Sequence, residues 1–288
     1  MKWLEKLSSA INYIENNLDN EISYEEAANI ACCSTYYFKR MFTYVAGITL
    51  SDYIRRRRMT QAAFKLKSSN IKVLDVALKY GYNSPTAFNR AFQNVHGISP
   101  NAAKNQGSVL NAYPPIKFSV QVTGGSAMPY RIEEKDAMRI VGVRTKLSED
   151  MEENQKFVPT FWSEILKTNT LSELCCLSNQ APNSVLGVTA YQSSNDIFYY
   201  IAVATNETAR VEMFEYEIPA ATWVVFESDG YFKESIQSVF RRFVTEWLPF
   251  SGYAYAELPD IEEYPFSNGD LRSGHSEVWI AIKKEEEN

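Results

Sequence analysis

Two short segments of the chain carry the same chemistry. Phe38-Lys39-Arg40-Met41-Phe42 returns, fifty residues on, as Phe88-Asn89-Arg90-Ala91-Phe92, and Gly47-Ile48 returns as Gly97-Ile98. Phenylalanines four apart share one face of a helix and belong in a core. The face opposite then presents Thr35, Tyr36, Lys39 and Arg40 in the first copy, and Thr86, Asn89 and Arg90 in the second. Such groups hydrogen-bond phosphate oxygens and base edges. One helix of this kind would be read as a solvated face. Two matched copies suit a polyanion with a regular repeat, and successive major grooves of a DNA duplex recur every ~34 Å.

A second candidate is a carboxylate among rings. Residues 108–288 hold 25 aromatic side chains, many at strand positions: Tyr191, Tyr199, Tyr200, Trp223, Phe226 and Trp279. Strand alternation puts Glu277 on the face of Trp279, away from Val278 and Ile280. On a solvated face Glu277 is a strand-end charge. On an enclosed one it needs a partner, and a cationic ligand would supply one, helped by nearby rings.

Other chemistries find little support. The four cysteines stand as Cys32-Cys33 and Cys175-Cys176, with only His96 and His275 as imidazoles, a pattern that lacks a zinc signature and suits reduced, structural thiols. No metal or other cofactor is expected. There is no nucleophile elbow and no nucleotide loop, so the chain is not read as an enzyme. The competing reading is a small-molecule hydrolase or ligand-sequestering domain in which Glu277 works with Tyr264 or Tyr191 as acid and base. No apolar run is long enough to cross a bilayer and the first residues carry charges, so the expected compartment is the cytoplasm, with no membrane partner.

The elements that must position these groups fall into two halves. Residues 1–107 hold 14 basic and 8 acidic side chains, net +6, whereas residues 108–288 are net −12. The first half suits a polyanion, and the second could repel DNA or contact RNA polymerase. Leu4, Leu7, Ile11, Ile14 and Leu18 mark an amphipathic helix, and Ser23 with Glu26 makes a capping box for the next. In the second copy Tyr80-Gly81-Tyr82 forms the turn, with Ser84 as cap and Pro85 at the first helical position. In the first copy Ser34 is the cap and Cys32 stands where the glycine would be. Between the copies, a helix capped by Thr49 carries Arg55-Arg56-Arg57-Arg58 and runs on to Leu66. Four successive arginines encircle a helix, so some must point inward while others face solvent or phosphate, and one or two, Arg55 among them, are expected at phosphate.

Gly107, Pro114-Pro115 and Gly124-Gly125 punctuate residues 105–129, which divides the chain into a DNA-binding domain (1–107), a linker (108–128) and a third segment (129–288). Within the linker, Lys117 to Val122 alternates like a strand. Beyond it, Met138–Leu147, Val185–Tyr191, Ile197–Ala204, Thr222–Phe226 and Val278–Ile282 read as strands, and Phe157–Lys167 and Phe232–Trp247 as helices. The expectation is an all-α tandem helix-turn-helix domain followed by an α+β domain.

Residues 8–104 resemble the tandem helix-turn-helix domain of the AraC/XylS transcription regulators. The likeness rests on the repeated Ser, Phe-x-Arg-x-Phe and Gly-Ile pattern and on the linking helix Tyr53-Ile54-Arg55-Arg56-Arg57-Arg58-Met59 with Ala62. It implies that Tyr36, Lys39, Arg40, Thr86, Asn89 and Arg90 face the grooves. Residues 129–284 resemble the gyrase-inhibitor-like (GyrI-like) effector-binding domain, in the Rob-type order. The residues carrying this are Met138 to Val143, Phe161-Trp162, Ile197 to Ala204, Trp223 to Phe226 with Gly230, Asp260 to Tyr264, and Glu277 to Ile282. That resemblance implies paired strand-helix-strand-strand repeats and a bulky hydrophobic or cationic effector. Trp162, Tyr191, Trp223, Glu262, Tyr264, Glu277 and Trp279 would line the site, with Glu263 as the alternative to Glu262. The function implied is a DNA-binding regulator, read as an activator responsive to multidrug-type effectors.

Overall fold

The computed structural model describes residues 2–118, 127–148, 151–193, 196–266 and 273–285. The chain divides into two compact units, residues 1–121 and 122–288.

The first unit is helical: α1 (Lys2–Asn16), α2 (Tyr24–Ile30), α3 (Thr35–Ala46), α4 (Leu50–Ser68), α5 (Val73–Lys79), α6 (Pro85–His96) and the short α7 (Pro100–Ala103). Caps set their starts. Ser23, Ser34, Thr49, Ser84 and Ser99 each accept a backbone N–H from the first turn of the helix that follows, which satisfies a donor the helix itself cannot pair. Gly47 and Gly97 end α3 and α6 in the left-handed region, as the repeat requires.

Each copy of the repeat has its own core. Phe38 and Phe42 pack with Leu7, Ile11, Ile14 and Tyr53, and Phe88 and Phe92 pack with Met59, Ala62, Leu66 and Val76. Helix α4 contributes to both, which is why it is apolar on more than one face.

Residues 108–118, read from the sequence as the first part of a linker, lie along this unit. The N–H of Tyr113 donates to Thr60 Oγ1 (3.1 Å), that of Ile116 to Tyr53 Oη (3.2 Å) and that of Asn111 to His96 Nδ1 (3.2 Å). An extended segment containing Pro114-Pro115 has no ladder of its own, so its polar backbone groups bond to side chains instead. Lys117 and Phe118 belong to no strand. Residues 119–122, the rest of the alternating run, lie outside the described residues.

The second unit is a sheet with helices. Its elements are β1 (Tyr130–Lys135), β2 (Met138–Lys146), α8 (Met151–Ile165), α9 (Thr170–Leu177), β3 (Ser184–Ser193), β4 (Asp196–Ala204), β5 (Phe214–Ile218), β6 (Ala221–Tyr231), α10 (Phe232–Arg242), β7 (Tyr253–Tyr255), β8 (Asp260–Pro265) and β9 (Ser273–Lys284). The strand order is β1-β6-β9-β8-β3-β4-β2-β5, with β7 added beside β9, and the pairings are antiparallel.

That order reads the same from either end. The unit β2-α8-β3-β4 is matched by β6-α10-β8-β9, and the two meet where β3 pairs with β8, Gly187 opposite Glu262 and Val188 opposite Ile261. The expected strand-helix-strand-strand pair is therefore present. One face of the sheet buries Ile140, Val188, Tyr200, Trp223, Ile261 and Trp279 together. The other carries Tyr199 and Tyr264, which meet Trp162 of α8 and Phe232 of α10.

Candidate functional site

The two copies of the repeat present their cationic groups differently. On α6, Thr86, Asn89 and Arg90 are all exposed, while Phe88 and Phe92 are fully buried. The turn before it uses Gly81 at φ 81°. In the first copy Cys32 takes φ 56°, so a residue with a Cβ occupies the left-handed position and the turn keeps its shape at some conformational cost.

Helix α3 departs from the expected exposure. Thr35 and Lys39 are partly exposed, with Lys39 Nζ 4.7 Å from the centre of the Tyr24 ring. Tyr36 and Arg40, expected to face a groove, are only 8% and 5% exposed. The i, i+4 spacing folds Arg40 onto its own helix, where Nε donates to Tyr44 Oη at 3.0 Å and the guanidinium lies 5.4 Å from the ring centre. The repeat predicted one buried face; α3 has more.

The four arginines divide by partner. Arg55 is exposed and pairs with Asp52, as does Arg56 at 2.6 Å. Arg57 is buried against α1, its Nη2 2.6 Å and its Nε 2.9 Å from the Glu15 carboxylate, which also accepts from Tyr53 Oη. Desolvation works against the charge on Arg57, but the hydrogen bond and charge of Glu15 outweigh it and raise its pKa. Arg58 donates to the carbonyls of Leu18 and Asn20. Arg57 thus joins α4 to α1 and Arg58 joins it to the segment that follows α1, while Arg55 and Arg56 remain at the surface.

In the second unit, alternation along β8 sends neighbouring glutamates to opposite faces. Glu262 turns toward the helices. Its Oε2 accepts from Tyr199 Oη at 2.7 Å and from Tyr264 Oη at 2.9 Å, and Tyr199 Oη accepts from Trp162 Nε1 at 2.9 Å. Tyr264 stands between Trp162 (ring centres 5.2 Å) and Phe232 (4.8 Å). Burial, with the adjacent Glu262 charge, pushes both phenols well above the usual tyrosine range, so each remains a donor to the carboxylate. Gly187 faces this cluster across the β3–β8 pair; a Cβ there would overlap Tyr199 Oη and Glu262 Oε2. The glycine is what lets the carboxylate and phenol meet over the middle of the sheet.

Glu263 turns the other way, into a cleft of about 760 Å³ lined by Trp223, Trp279, Ile261 and Glu277 among others. Glu277 has a partner in the protein itself. Arg131 Nη2 lies 2.7 Å and Trp279 Nε1 3.0 Å from its Oε2. Desolvation disfavours this carboxylate, but those two donors outweigh it and hold its pKa below the usual range. Lys135 bonds Glu133 at 2.6 Å and sits 4.2 Å above the Trp279 ring.

The residues expected to form one effector site are therefore separated. Trp162, Glu262 and Tyr264 form the helix-side cluster, Trp223, Glu277 and Trp279 line the cleft, and Tyr191 turns to Asp260, its hydroxyl 3.2 Å from Oδ2. Glu277, expected to meet a cationic ligand, is paired here with Arg131. Tyr199, Arg131 and Lys135 were not among the expected residues. Strand periodicity could have placed Tyr199 on the face of Glu262 only once the β3–β4 register was known.

Among the described residues no group of His, Cys, Asp or Glu could hold a metal ion, and no helix is long and apolar enough to cross a membrane.

Comparison with known proteins agrees with this architecture. Residues 131–282, just over half of the chain, match the family described as integron-associated effector binding protein, and residues 27–106 match a helix-turn-helix domain family. The HTH-type transcriptional activator AarP of Providencia stuartii is 37% identical over 94 residues, 33% of this chain and 70% of that protein. The multiple antibiotic resistance protein MarA of Salmonella typhimurium is 36% identical over 120 residues, 42% of this chain and 91% of that protein. The HTH-type transcriptional regulator YbfP of Bacillus subtilis is 25% identical over 270 residues, 79% of this chain and 89% of that protein. With both halves matched in the order found here, and with relatives that are regulators of transcription and not enzymes, the chain belongs to the AraC-type helix-turn-helix transcription regulators that carry an integron-associated, GyrI-like effector-binding domain.

Proposed function

We propose that this regulator is a cytoplasmic activator that reads successive major grooves of DNA and answers to a bulky hydrophobic cation held at Glu262. The activator reading is supported by AarP, an activator that shares the DNA-binding half. On the DNA side, the exposed face of α6, with Thr86, Asn89 and Arg90, has the donors that base edges and phosphates accept.

The observation that carries the effector reading is the carboxylate of Glu262 enclosed by rings. Tyr199 and Tyr264 donate to it, Trp162 closes one side, and Phe232 stands behind Tyr264. A cation entering that cluster gains the charge of the carboxylate and the faces of several rings, worth about 0.5–2 kcal/mol per ring contact. The cluster lies where the two repeats meet, between α8 and α10, so an occupant would press on both helices.

Calorimetry with tetraphenylphosphonium tests this directly. Wild type is expected to bind it, and Glu262→Gln, which keeps the shape and removes the charge, is expected to bind at least tenfold more weakly. Equal binding by the two proteins would remove Glu262 from the effector site. The DNA half is tested separately: affinity for a duplex should fall steeply as salt rises, and binding that ignores salt would count against the groove reading.

A further inference from the structure

The cleft on the other face of the sheet has a chemistry of its own. Its floor is Trp223, Trp279 and Ile261, and Arg131, Lys135 and Glu263 line it too. Two of its acids are neutralised from within the protein: Arg131 meets both Glu133 and Glu277, and Lys135 meets Glu133.

Glu263 is treated differently. Although partly buried, it has as its hydrogen bond among the described residues the neutral hydroxyl of Ser184, 2.5 Å from Oε1. Lys135 and Arg131 favour its charge and Glu277 opposes it, and neither cation forms an ion pair with it among the described residues. A carboxylate in such a place is best complemented by a small cation that brings its own hydrogens. The volume, about 760 Å³, falls in the range of ordinary ligand sites. Arg131 and Lys135 line the same space, so a ligand with a second positive charge is disfavoured.

We propose that this cleft is a second small-molecule site, back to back with the Glu262 cluster, and that it takes a single primary ammonium or amidinium group on a flat apolar body, the charge at Glu263 and the body on the accessible apolar part of the lining, Ala137, Met138 and Pro182. The site differs from the first in what it asks of a ligand. Glu262 is met by phenols and rings and suits a bulky cation without N–H groups, whereas Glu263 calls for hydrogen-bond donors. Burial raises the Glu263 pKa, in keeping with a carboxyl group whose charge is incompletely met.

The test uses the full chain, with tryptamine as the probe and 3-ethylindole as its uncharged counterpart, both measured by calorimetry at neutral pH. Wild type is expected to bind tryptamine at least tenfold more tightly than 3-ethylindole. Glu263→Gln should bring tryptamine down to the level of 3-ethylindole, and Glu263→Asp, whose carboxylate is withdrawn by one methylene, should fall between. Thermal melting checks that each variant folds. Should Glu263→Gln fail that check, the comparison of the two probes on wild type and on Glu263→Asp decides. Tryptamine binding that is absent, that shows no preference over 3-ethylindole, or that is unmoved by the substitutions at Glu263 overturns the proposal; the last outcome would place the amine elsewhere.

Discussion

Glu262 and Glu263 are neighbours in sequence and serve opposite faces of one sheet. The first accepts from Tyr199 and Tyr264 beneath the helices, and the second accepts from Ser184 beside the cleft. A strand with its period of two makes that division unavoidable. Gly187, opposite Glu262, leaves the room in which the helix-side cluster forms. Gly187→Ala should therefore force Tyr199 and Glu262 apart, lowering stability by about 1–3 kcal/mol in urea unfolding and weakening tetraphenylphosphonium binding as well. A variant with unchanged stability and unchanged binding would show that the close approach has no consequence.

Arg57 and Arg55 stand in one arginine run and are expected to behave differently. Arg57 is buried with Glu15, and removing it leaves that carboxylate without its guanidinium, so Arg57→Ala should cost about 3–5 kcal/mol. Arg55 pairs with Asp52 at the surface, and Arg55→Ala should change stability by less than about 1 kcal/mol. Chemical denaturation of both variants checks the contrast.

The same contrast separates Arg90 from Arg40. Arg90 is exposed on α6, and Arg90→Ala should weaken a specific DNA complex by about 1–3 kcal/mol while leaving the melting temperature in place. Arg40 is buried against Tyr44, so Arg40→Ala should lower the melting temperature of the free protein. Gel-shift titration alongside melting curves distinguishes the two. A melting loss for Arg90→Ala, or none for Arg40→Ala, would contradict the assigned surroundings.

His96 links α6 to α4 and to the segment that follows. Its Nε2 lies 3.0 Å from the Met59 carbonyl and its Nδ1 accepts from the N–H of Asn111, so the ring is neutral, with its proton on Nε2. Burial holds its pKa below the usual histidine value. The unfolded chain then takes up the proton first as pH falls. Stability from this residue is present above about pH 6.5 and is lost as pH drops through that value toward the lowered one. Melting temperature should decline between pH 7.5 and 5, and His96→Gln should flatten that part of the curve. A wild-type curve no steeper than that of the variant would be the contrary result.

Much of the first unit was legible because its information is local. Helix periodicity, serine caps, the glycine turns and the fifty-residue repeat each lie within a few residues of what they determine, and the caps appear where expected. In the second unit the strands β2, β3, β4, β6 and β9 and the helices α8 and α10 were legible in the same way, whereas β8 was not read as a strand and the paired strand-helix-strand-strand order came from the resemblance. A side chain's direction along a strand or helix follows from its position, and so the separation of Glu262 from Glu263 was implicit in the sequence.

What covers each face was not. The sequence assigned Arg40 and Arg90 the same role because their local patterns match, yet only Arg90 is exposed. Glu277 meets Arg131 across 146 residues of chain, and Tyr199 reaches Glu262 only through the pairing of β3 with both β4 and β8. Register between strands is chosen by the packing of the whole sheet, and a one-residue change would send every one of these side chains to the other face. Local spacing determined the elements and the sides they present; long-range pairing decided which charges are satisfied from within and which are left to face a ligand.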